Sequence, residues 1–318
     1  MRNGEPIESA QRGEGSRNAI GAQDVGLGLG FPAIPNSAQF SATGKTTAVA
    51  IGFPPAQKRT GRVLLLHETG RQFELAIPNV PEATFVTFAK IAQTQTKNLA
   101  VGDNRGNVLL YTFDETKLAN NMNPITGDPV VLALGPPRAV TFVQYSADDK
   151  TLVAADSQTV KIWDLAANEK LLDTIKVAGN AKVAASSDNK TIFVSSGRTV
   201  TVYQVDATGK YASISTITAE KAIDEIALSG DNKWLAAARN GGVVQIFQLP
   251  NNLNFQAGAV MPRNSLMINN PITALAFSRD GNQLAVADTQ QNVIKFTLTA
   301  NGFESNGQFF LWQTGAMA

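Results

Sequence analysis

The 318-residue sequence contains no cysteine and a single histidine, His67. Without cysteine, the chain has no disulfide framework, no thiol nucleophile and no cysteine-ligated zinc site. The 27 Lys and Arg residues balance 26 Asp and Glu residues, so no net field favours nucleic acid or an anionic membrane. We therefore expect partners that do not include nucleic acid.

Long apolar runs are also missing. No stretch of about 18 consecutive apolar residues occurs, which argues against membrane insertion. The first 30 residues include Arg2, Glu5 and Glu8, and they contain no apolar run of about 7–15 residues that would form the core of a secretory signal. A cytoplasmic location is the resulting expectation.

A repeated unit is present from about Ser37 to the end of the chain, with its clearest copies at residues 142–156 and 275–288. Each copy has a short apolar strand ending in Ser, a polar turn of Asp, Asn or Gly, and a second apolar strand, which together predict a hairpin. A third alternating run follows, as at residues 160–165, and a looser fourth, as at residues 170–177. The unit therefore predicts four antiparallel strands.

The spacing of the copies and one dipeptide resemble the WD40 repeat family. The second strands recur roughly every 40–53 residues, against about 40–45 in that family. The third strand of one copy ends in Trp163-Asp164, similar to the Trp-Asp pair of the family. The resemblance covers residues 37–313 and implies a β-propeller. The Gly-His pair that usually opens a repeat is missing, so the His-Ser-Asp-Trp hydrogen-bond network of the family is not expected.

Six repeats can be counted, and they predict an all-β fold of six four-stranded antiparallel blades. WD40 rings most often have seven blades, so either this ring closes with six or the first 36 residues contribute to a seventh. Residues 25–31 alternate apolar residues with Gly, and this segment is either a ring-closing strand or a flexible arm. The predicted organisation is an N-terminal Gly-rich arm at residues 1–36 and a propeller at residues 37–318.

Three patterns that resemble chemical motifs are better explained by structure. Residues 44–46 read Gly-Lys-Thr, but a phosphate loop needs Gly at position 39, which is Gln39. Acidic turns such as Asp148-Asp149 lack the alternating carboxylates of a calcium loop and suit tight turns. His67 lies in an apolar third strand. We therefore expect no catalytic residue, no metal ligand and no cofactor.

The function that the resemblance implies is a non-catalytic scaffold or adaptor that binds other proteins. Two alternatives stay open. The lack of Cys and the richness in Asn, Gln, Thr and Ala suit a structural component of a larger particle, such as a virion or a surface assembly. A propeller hydrolase or lactonase is less favoured, but its residues would come from different blades and escape any test of sequence spacing.

Binding specificity is expected in the loops that depart from the minimal repeat. Two such loops, residues 53–61 and 261–270, are predicted to lie side by side on one rim, and a third, residues 114–129, on the opposite face. Met and Arg, which are enriched at interface centres, occur in these loops. The predicted partner-binding residues of the rim are Pro54, Pro55, Lys58, Arg59, Arg62, Met261, Arg263, Leu266 and Met267.

Overall fold

The computed structural model of the protein describes residues 34–52, 61–77, 82–91, 97–239, 241–255, 260–290 and 292–310. These residues form 24 strands in six antiparallel four-stranded sheets, which are the blades of a β-propeller. This confirms the predicted fold class. No helix in the described part of the chain is long and apolar enough to span a membrane.

The first three blades cover the N-terminal half of the described chain. Blade 1 contains β1 (Ile34–Phe40), β2 (Thr46–Gly52), β3 (Arg62–His67) and β4 (Gln72–Ala76). Blade 2 contains β5 (Ala83–Phe88), β6 (Leu99–Asp103), β7 (Asn107–Phe113), α1 (Glu115–Ala119) and β8 (Ile125–Ala133). Blade 3 contains β9 (Phe142–Tyr145), β10 (Thr151–Ala155), β11 (Thr159–Asp164) and β12 (Lys170–Lys176).

The other three blades complete the series. Blade 4 contains β13 (Val183–Ala185), β14 (Thr191–Ser196), β15 (Thr199–Val205) and β16 (Tyr211–Thr218). Blade 5 contains β17 (Ile223–Leu228), β18 (Trp234–Arg239), β19 (Val243–Gln248) and β20 (Pro262–Met267). Blade 6 contains β21 (Ile272–Phe277), β22 (Gln283–Asp288), β23 (Asn292–Thr299) and β24 (Gly302–Phe310).

Within every blade the strands pair in sequence order, so consecutive connections alternate between two faces. The upper face carries the connections from first to second strand, such as residues 41–45, and from third to fourth strand, such as residues 114–124. The lower face carries the connections from second to third strand and from one blade to the next, such as residues 134–141. The order of the strands thus determines which loops share a face.

The hydrophobic core consists of layers between successive blades. In β7, Leu109 and Tyr111 pack against blade 1, whereas Val108 and Leu110 pack towards blade 3. Successive side chains of a strand point to opposite faces of its sheet, so one strand serves two layers. This explains why the third strands are rich in large apolar residues on both faces.

The predicted N-terminal arm at residues 1–36 lies mostly outside the described residues, including the possible ring-closing segment at residues 25–31. The part that is described belongs to the propeller, because β1 begins at Ile34. Each of the six described blades draws its four strands from consecutive sequence. A strand from the arm would therefore be an addition to a blade that already has four.

The acidic turns on the upper face are hydrogen-bonded hairpin turns. In blade 3, Ser146 Oγ donates to Asp148 Oδ1 at 2.7 Å, and the same Oγ accepts from the backbone N–H of Thr151 at 3.0 Å. Equivalent Ser–Asp bonds of 2.7, 2.7 and 2.6 Å recur in blades 4, 5 and 6. The repeated Ser-x-Asp sequence therefore specifies a turn, as predicted.

On the lower face, buried carboxylates stabilise the turns after the second strands. Asp288 accepts hydrogen bonds from Asn292 and from Asn270 Nδ2, both side-chain bonds being 2.8 Å long. Asp156 accepts from Arg138 Nε at 3.1 Å. Asn270 and Arg138 lie in connections that open a repeat, where the Gly-His pair is missing. The histidine that typically opens a WD40 repeat is absent from these connections. The side-chain amide of Asn270 and the guanidinium of Arg138 donate to the buried carboxylates instead.

Candidate interaction face

Four of the nine predicted rim residues are not described. Pro54, Pro55, Lys58 and Arg59 lie outside the described residues, and their role stays a prediction. Arg62 is the first residue of β3 and forms an ion pair with Glu74 of the neighbouring strand. Its guanidinium therefore takes part in holding blade 1 together.

The prediction that residues 261–270 form a loop is wrong, because residues 262–267 are β20, the outer strand of blade 5. Leu266 is buried between blades 5 and 6. Arg263 donates to Gln248 at 3.1 Å and lies over the ring of Trp234. Met261 and Met267 are exposed, but they flank opposite ends of this strand. An outer strand needs few inward apolar residues, so its sequence resembles a loop.

The longer connections that the structure does show both lie on the upper face, each between a third and a fourth strand. In blade 2 the insertion is residues 114–124, shorter than the predicted 114–129 because β8 begins at Ile125. It contains α1, whose first turn is capped by Asp114 through the N–H of Thr116 at 2.9 Å. In blade 5 the connection between β19 and β20 covers residues 249–261, and its described part, residues 249–255, includes a 3₁₀ turn, Asn251–Leu253.

The blade 2 insertion reaches back to blade 1 through Glu115. Its carboxylate accepts hydrogen bonds from Ser41 Oγ at 2.8 Å, Thr43 Oγ1 at 2.6 Å and Thr46 Oγ1 at 2.6 Å. Burial alone would raise the pKa of Glu115, but the three hydroxyl donors lower it below its ordinary value of 4.5. The carboxylate thus joins the first hairpin turn of blade 1 to blade 2.

We expect Glu115→Gln to destabilise the protein by about 1 kcal/mol at pH 7, since a charged acceptor is replaced by a neutral one. A carboxyl group with a lowered pKa in the folded state stabilises above its unfolded pKa, and that contribution disappears as the pH falls through the folded pKa. The difference in melting temperature between wild type and variant should therefore shrink from pH 7 to below pH 4.5. A pH-independent difference would contradict this role of the charge.

The blade 5 insertion reaches back to blade 4 in the same way, but with different chemistry. Leu253 is buried in the layer between blades 4 and 5, and Phe255 packs edge-on against Phe193 with ring centroids 6.2 Å apart. Gln204 Nε2 of blade 4 donates to the carbonyl oxygen of Leu253 at 2.9 Å. These contacts fix the insertion as a wall beside blade 4.

Between this wall and the hairpin turns of blades 4 and 5 lies an open polar cleft of about 640 Å³. Its volume is within the range of about 300–1,000 Å³ that is typical of ligand sites. Its lining is mainly polar, with two lysines, two aspartates and several amides. The residues that line it are Asp188, Lys190, Thr191, Gln204, Val205, Asp231, Asn232, Lys233, Pro250, Asn251, Asn252 and Leu253.

A second cavity, of about 290 Å³, lies at the centre of the molecule and is lined by the first strands of blades 2 to 6. Its charged groups are Lys182 and Glu225, which form an ion pair at 3.0 Å. Gln144 donates to the carbonyl oxygens of Ala185 and Ser186 at 3.2 and 2.9 Å. The polar side chains of this cavity are therefore engaged in joining blades 3, 4 and 5.

His67 and the acidic residues do not assemble a metal-binding group in the described part of the chain. Within it, no three His, Cys, Asp or Glu side chains lie close enough together to hold a metal ion. His67 is buried at the end of β3, and its Nδ1 is 2.9 Å from Thr69 Oγ1. His67 is therefore a packed side chain at the end of a third strand.

The cleft was not predicted, although part of its signal is present in the sequence. Pro250-Asn251-Asn252 follows the third strand of blade 5 and indicates a turn well before the next strand. Because the fourth strand of blade 5 was not predicted at residues 262–267, the insertion that precedes it was not recognised. No pattern of neighbouring residues indicates that this insertion contacts Gln204 of the preceding blade.

A comparison with protein-family models matches one part of the chain. The family model described as "WD domain, G-beta repeat" matches residues 130–164, which span β9 to β11 of blade 3. No curated protein sequence matches the chain.

Solved structures show the same architecture at low sequence identity. A candidate 6-phosphogluconolactonase from Bacteroides fragilis has a TM-score of 0.65 and 19% identity, over 87% of this chain and 84% of that chain. A chain of the Mitotic Checkpoint Complex has a TM-score of 0.65 and 13% identity, over 89% and 85%. Sqt1 from Chaetomium thermophilum has a TM-score of 0.65 and 17% identity, over 86% and 71%. Such similarity shows the fold alone.

Proposed function

Because the chain is a WD40-like β-propeller, we propose that it is a non-catalytic scaffold whose upper face binds other proteins. One observation carries the proposal. The described part of the blade 5 insertion, residues 249–255, is fixed to blade 4 and walls a cleft between two rigid blades. Loops presented by a rigid framework commonly carry binding sites. This insertion supplies such a loop, which the minimal repeat lacks.

The second insertion adds an exposed apolar side chain to the same face. Met122 follows α1 and is 54% exposed, although α1 itself is fixed by Leu118 and Glu115. Methionine is enriched at protein interfaces because its side chain adapts to different shapes. The upper face therefore offers an apolar contact as well as a polar cleft.

The test compares two double variants with the same chemical change. Met122→Arg with Asn251→Arg alters the upper face, and Ala178→Arg with Gln290→Arg alters exposed positions of the lower face. Immobilised protein should capture a set of partners, identified by mass spectrometry, that the upper-face variant loses and the lower-face variant keeps. Melting temperatures should be nearly unchanged, since all four positions are exposed.

Loss of capture by the lower-face variant alone would overturn the assignment of the upper face.

Catalysis is tested separately, because a lactonase-like propeller is the alternative function. The purified protein should hydrolyse gluconolactone no faster than a variant with Glu225→Gln in the central cavity. Hydrolysis that this substitution abolishes, in a variant that remains folded, would show an enzyme.

A further inference from the structure

We propose that an open seam between blade 6 and blade 1 binds the chain's own N-terminal segment, residues 25–31, as an extended strand. Three observations support this. The face of blade 6 that borders the open seam is incompletely covered, the facing side of blade 1 is apolar, and the segment is attached closely to β1. The inference goes beyond the proposed function and does not depend on the upper face.

Hydrogen bonds join every successive pair of described blades. Blades 1 and 2 are joined by Asn36 and the carbonyl oxygen of Ala83 at 2.7 Å, and blades 5 and 6 by Asn264 and the carbonyl oxygen of Phe303 at 3.2 Å. The three pairs between them are joined by bonds of 2.6, 3.2 and 3.0 Å. Between the described residues of blades 6 and 1, no hydrogen bond, ion pair or shared apolar cluster is found. These two blades therefore border an open seam within the described part of the chain.

The second strand of blade 6 is fully covered on one face only. In the second strands of blades 2 to 5, almost every residue is buried, because both faces of each blade pack against a neighbour. In β22, Leu284 and Val286 are buried against blade 5, whereas the alternating residues Ala285 and Ala287 are only partly buried. Successive side chains of a strand point to opposite faces, so these alanines point away from blade 5. Blade 6 thus presents an incompletely covered face of small residues to the open seam.

The side of blade 1 that points away from blade 2 is apolar. Ala48 and Val63 pack in the layer with blade 2. The alternating residues Val49, Ile51 and Leu64 form a separate apolar cluster on the other side of the sheet. Among the described residues, this cluster contains members of blade 1 alone. Because apolar surface is stabilised when it is removed from water, this side of blade 1 favours an apolar neighbour in the open seam.

The segment at residues 25–31 has a pattern that suits a narrow space between two sheets. It alternates three glycines with the apolar residues Val25, Leu27, Leu29 and Phe31. In an extended strand the apolar side chains share one face and the glycines share the other. The apolar face suits the alanines of blade 6, and the glycine face leaves room for the larger side chains of blade 1, since packed layers fit large residues against small ones. The preceding 24 residues carry seven charged side chains and suit solvent instead.

The attachment of the segment to β1 determines where it can lie. Phe31 precedes Ile34, the first residue of β1, by three residue steps, which span at most about 11 Å. The segment is therefore held close to blade 1, and a short linker gives it a local concentration of roughly millimolar. A second copy or a separate partner would have to compete with it. The segment is not a missing strand of blade 6, because that blade already has four strands from consecutive sequence.

The test uses the absence of cysteine, since one introduced thiol then reports on one position. In the full-length protein with Ala287→Cys, the thiol should react slowly with a maleimide. Adding Leu27→Asp and Leu29→Asp should make it react about fivefold faster, because charges are costly in an apolar seam and an exposed thiol is more reactive. Ile7→Asp with Ile20→Asp is the matched control in the same arm, and it should leave the labelling rate unchanged.

A second thiol shows that the blades remain folded. Ala154 is fully buried between blades 2 and 3, so the thiol of Ala154→Cys should stay unreactive with and without the two arm substitutions. An unchanged labelling rate of Ala287→Cys in the presence of Leu27→Asp and Leu29→Asp would overturn the inference. Fast labelling of Ala287→Cys with the natural arm would overturn it as well.

Cross-linking identifies the occupant without any destabilising charge. With Leu29→Cys and Ala287→Cys in one chain, a short bis-maleimide should link the two thiols within single molecules. With Leu29→Cys and Ala212→Cys it should not, since Ala212 is exposed on the outer strand of blade 4. Equal linking to both positions would show a freely moving arm, and links only between molecules would show that a second copy fills the open seam. Either result would overturn the inference and leave the proposed function of the upper face standing.

Discussion

Replacing Trp163 with alanine is expected to destabilise the protein by about 3–5 kcal/mol, because a large buried aromatic side chain is removed from a packed layer. Trp163 is 4% exposed and packs between blades 2 and 3 with Tyr145 and Leu152, both fully buried. These neighbours belong to strands that pair rigidly with β11 or with each other, so the layer cannot collapse into the space. Chemical denaturation of wild type and variant measures the difference.

The adjacent residue provides the control for Trp163→Ala. Asp164 lies at the end of β11, and its Oδ1 accepts from the N–H groups of Ala166 and Ala167 in an exposed turn. Asp164→Ala should cost about 1 kcal/mol, since water can satisfy the freed N–H groups. Equal losses for the two variants would show that Trp163 does not hold the layer between blades 2 and 3.

Asp149→Ala is expected to cost about 2–4 kcal/mol, because it leaves two backbone donors without their acceptor. Asp149 is fully buried, and its carboxylate accepts from the N–H groups of Lys90 and Ile91 at 2.6 and 2.7 Å. The residue also has a φ of 55°, in the left-handed region that alanine adopts less readily than Asp or Asn. The turn of blade 3 thereby holds the first connection of blade 2.

Asp149→Asn separates these two effects. Asn189 has a φ of 57° at the equivalent position of blade 4, so an amide is compatible with this backbone. The Asn variant should keep one hydrogen bond and lose roughly half as much stability as the Ala variant. Thermal and chemical denaturation of the two variants measure this difference. Equal losses would mean that the hydrogen bonds matter little and that backbone conformation sets the cost.

Much of the fold could be predicted because its information is local. The Ser-x-Asp turn of residues 146–148 specifies a hairpin within a few residues, and strand alternation at residues 160–165 specifies a sheet with two buried faces. Strand order within a blade then follows the sequence order. The outer strands were harder to predict, since β20 exposes one face and contains Pro262 and Arg263.

The sequence by itself determined the repeat, the inner strands of the blades and their hairpin turns, because each depends on residues close together in the chain. Only the tertiary structure decided which side chains the long connections contact. Glu115 bonds to Ser41, 74 residues away, and Gln204 bonds to Leu253, 49 residues away. One insertion thereby fills the seam beside the preceding blade and the other leaves a cleft. Packing between blades brings these residues together, and no local pattern of residues encodes that proximity.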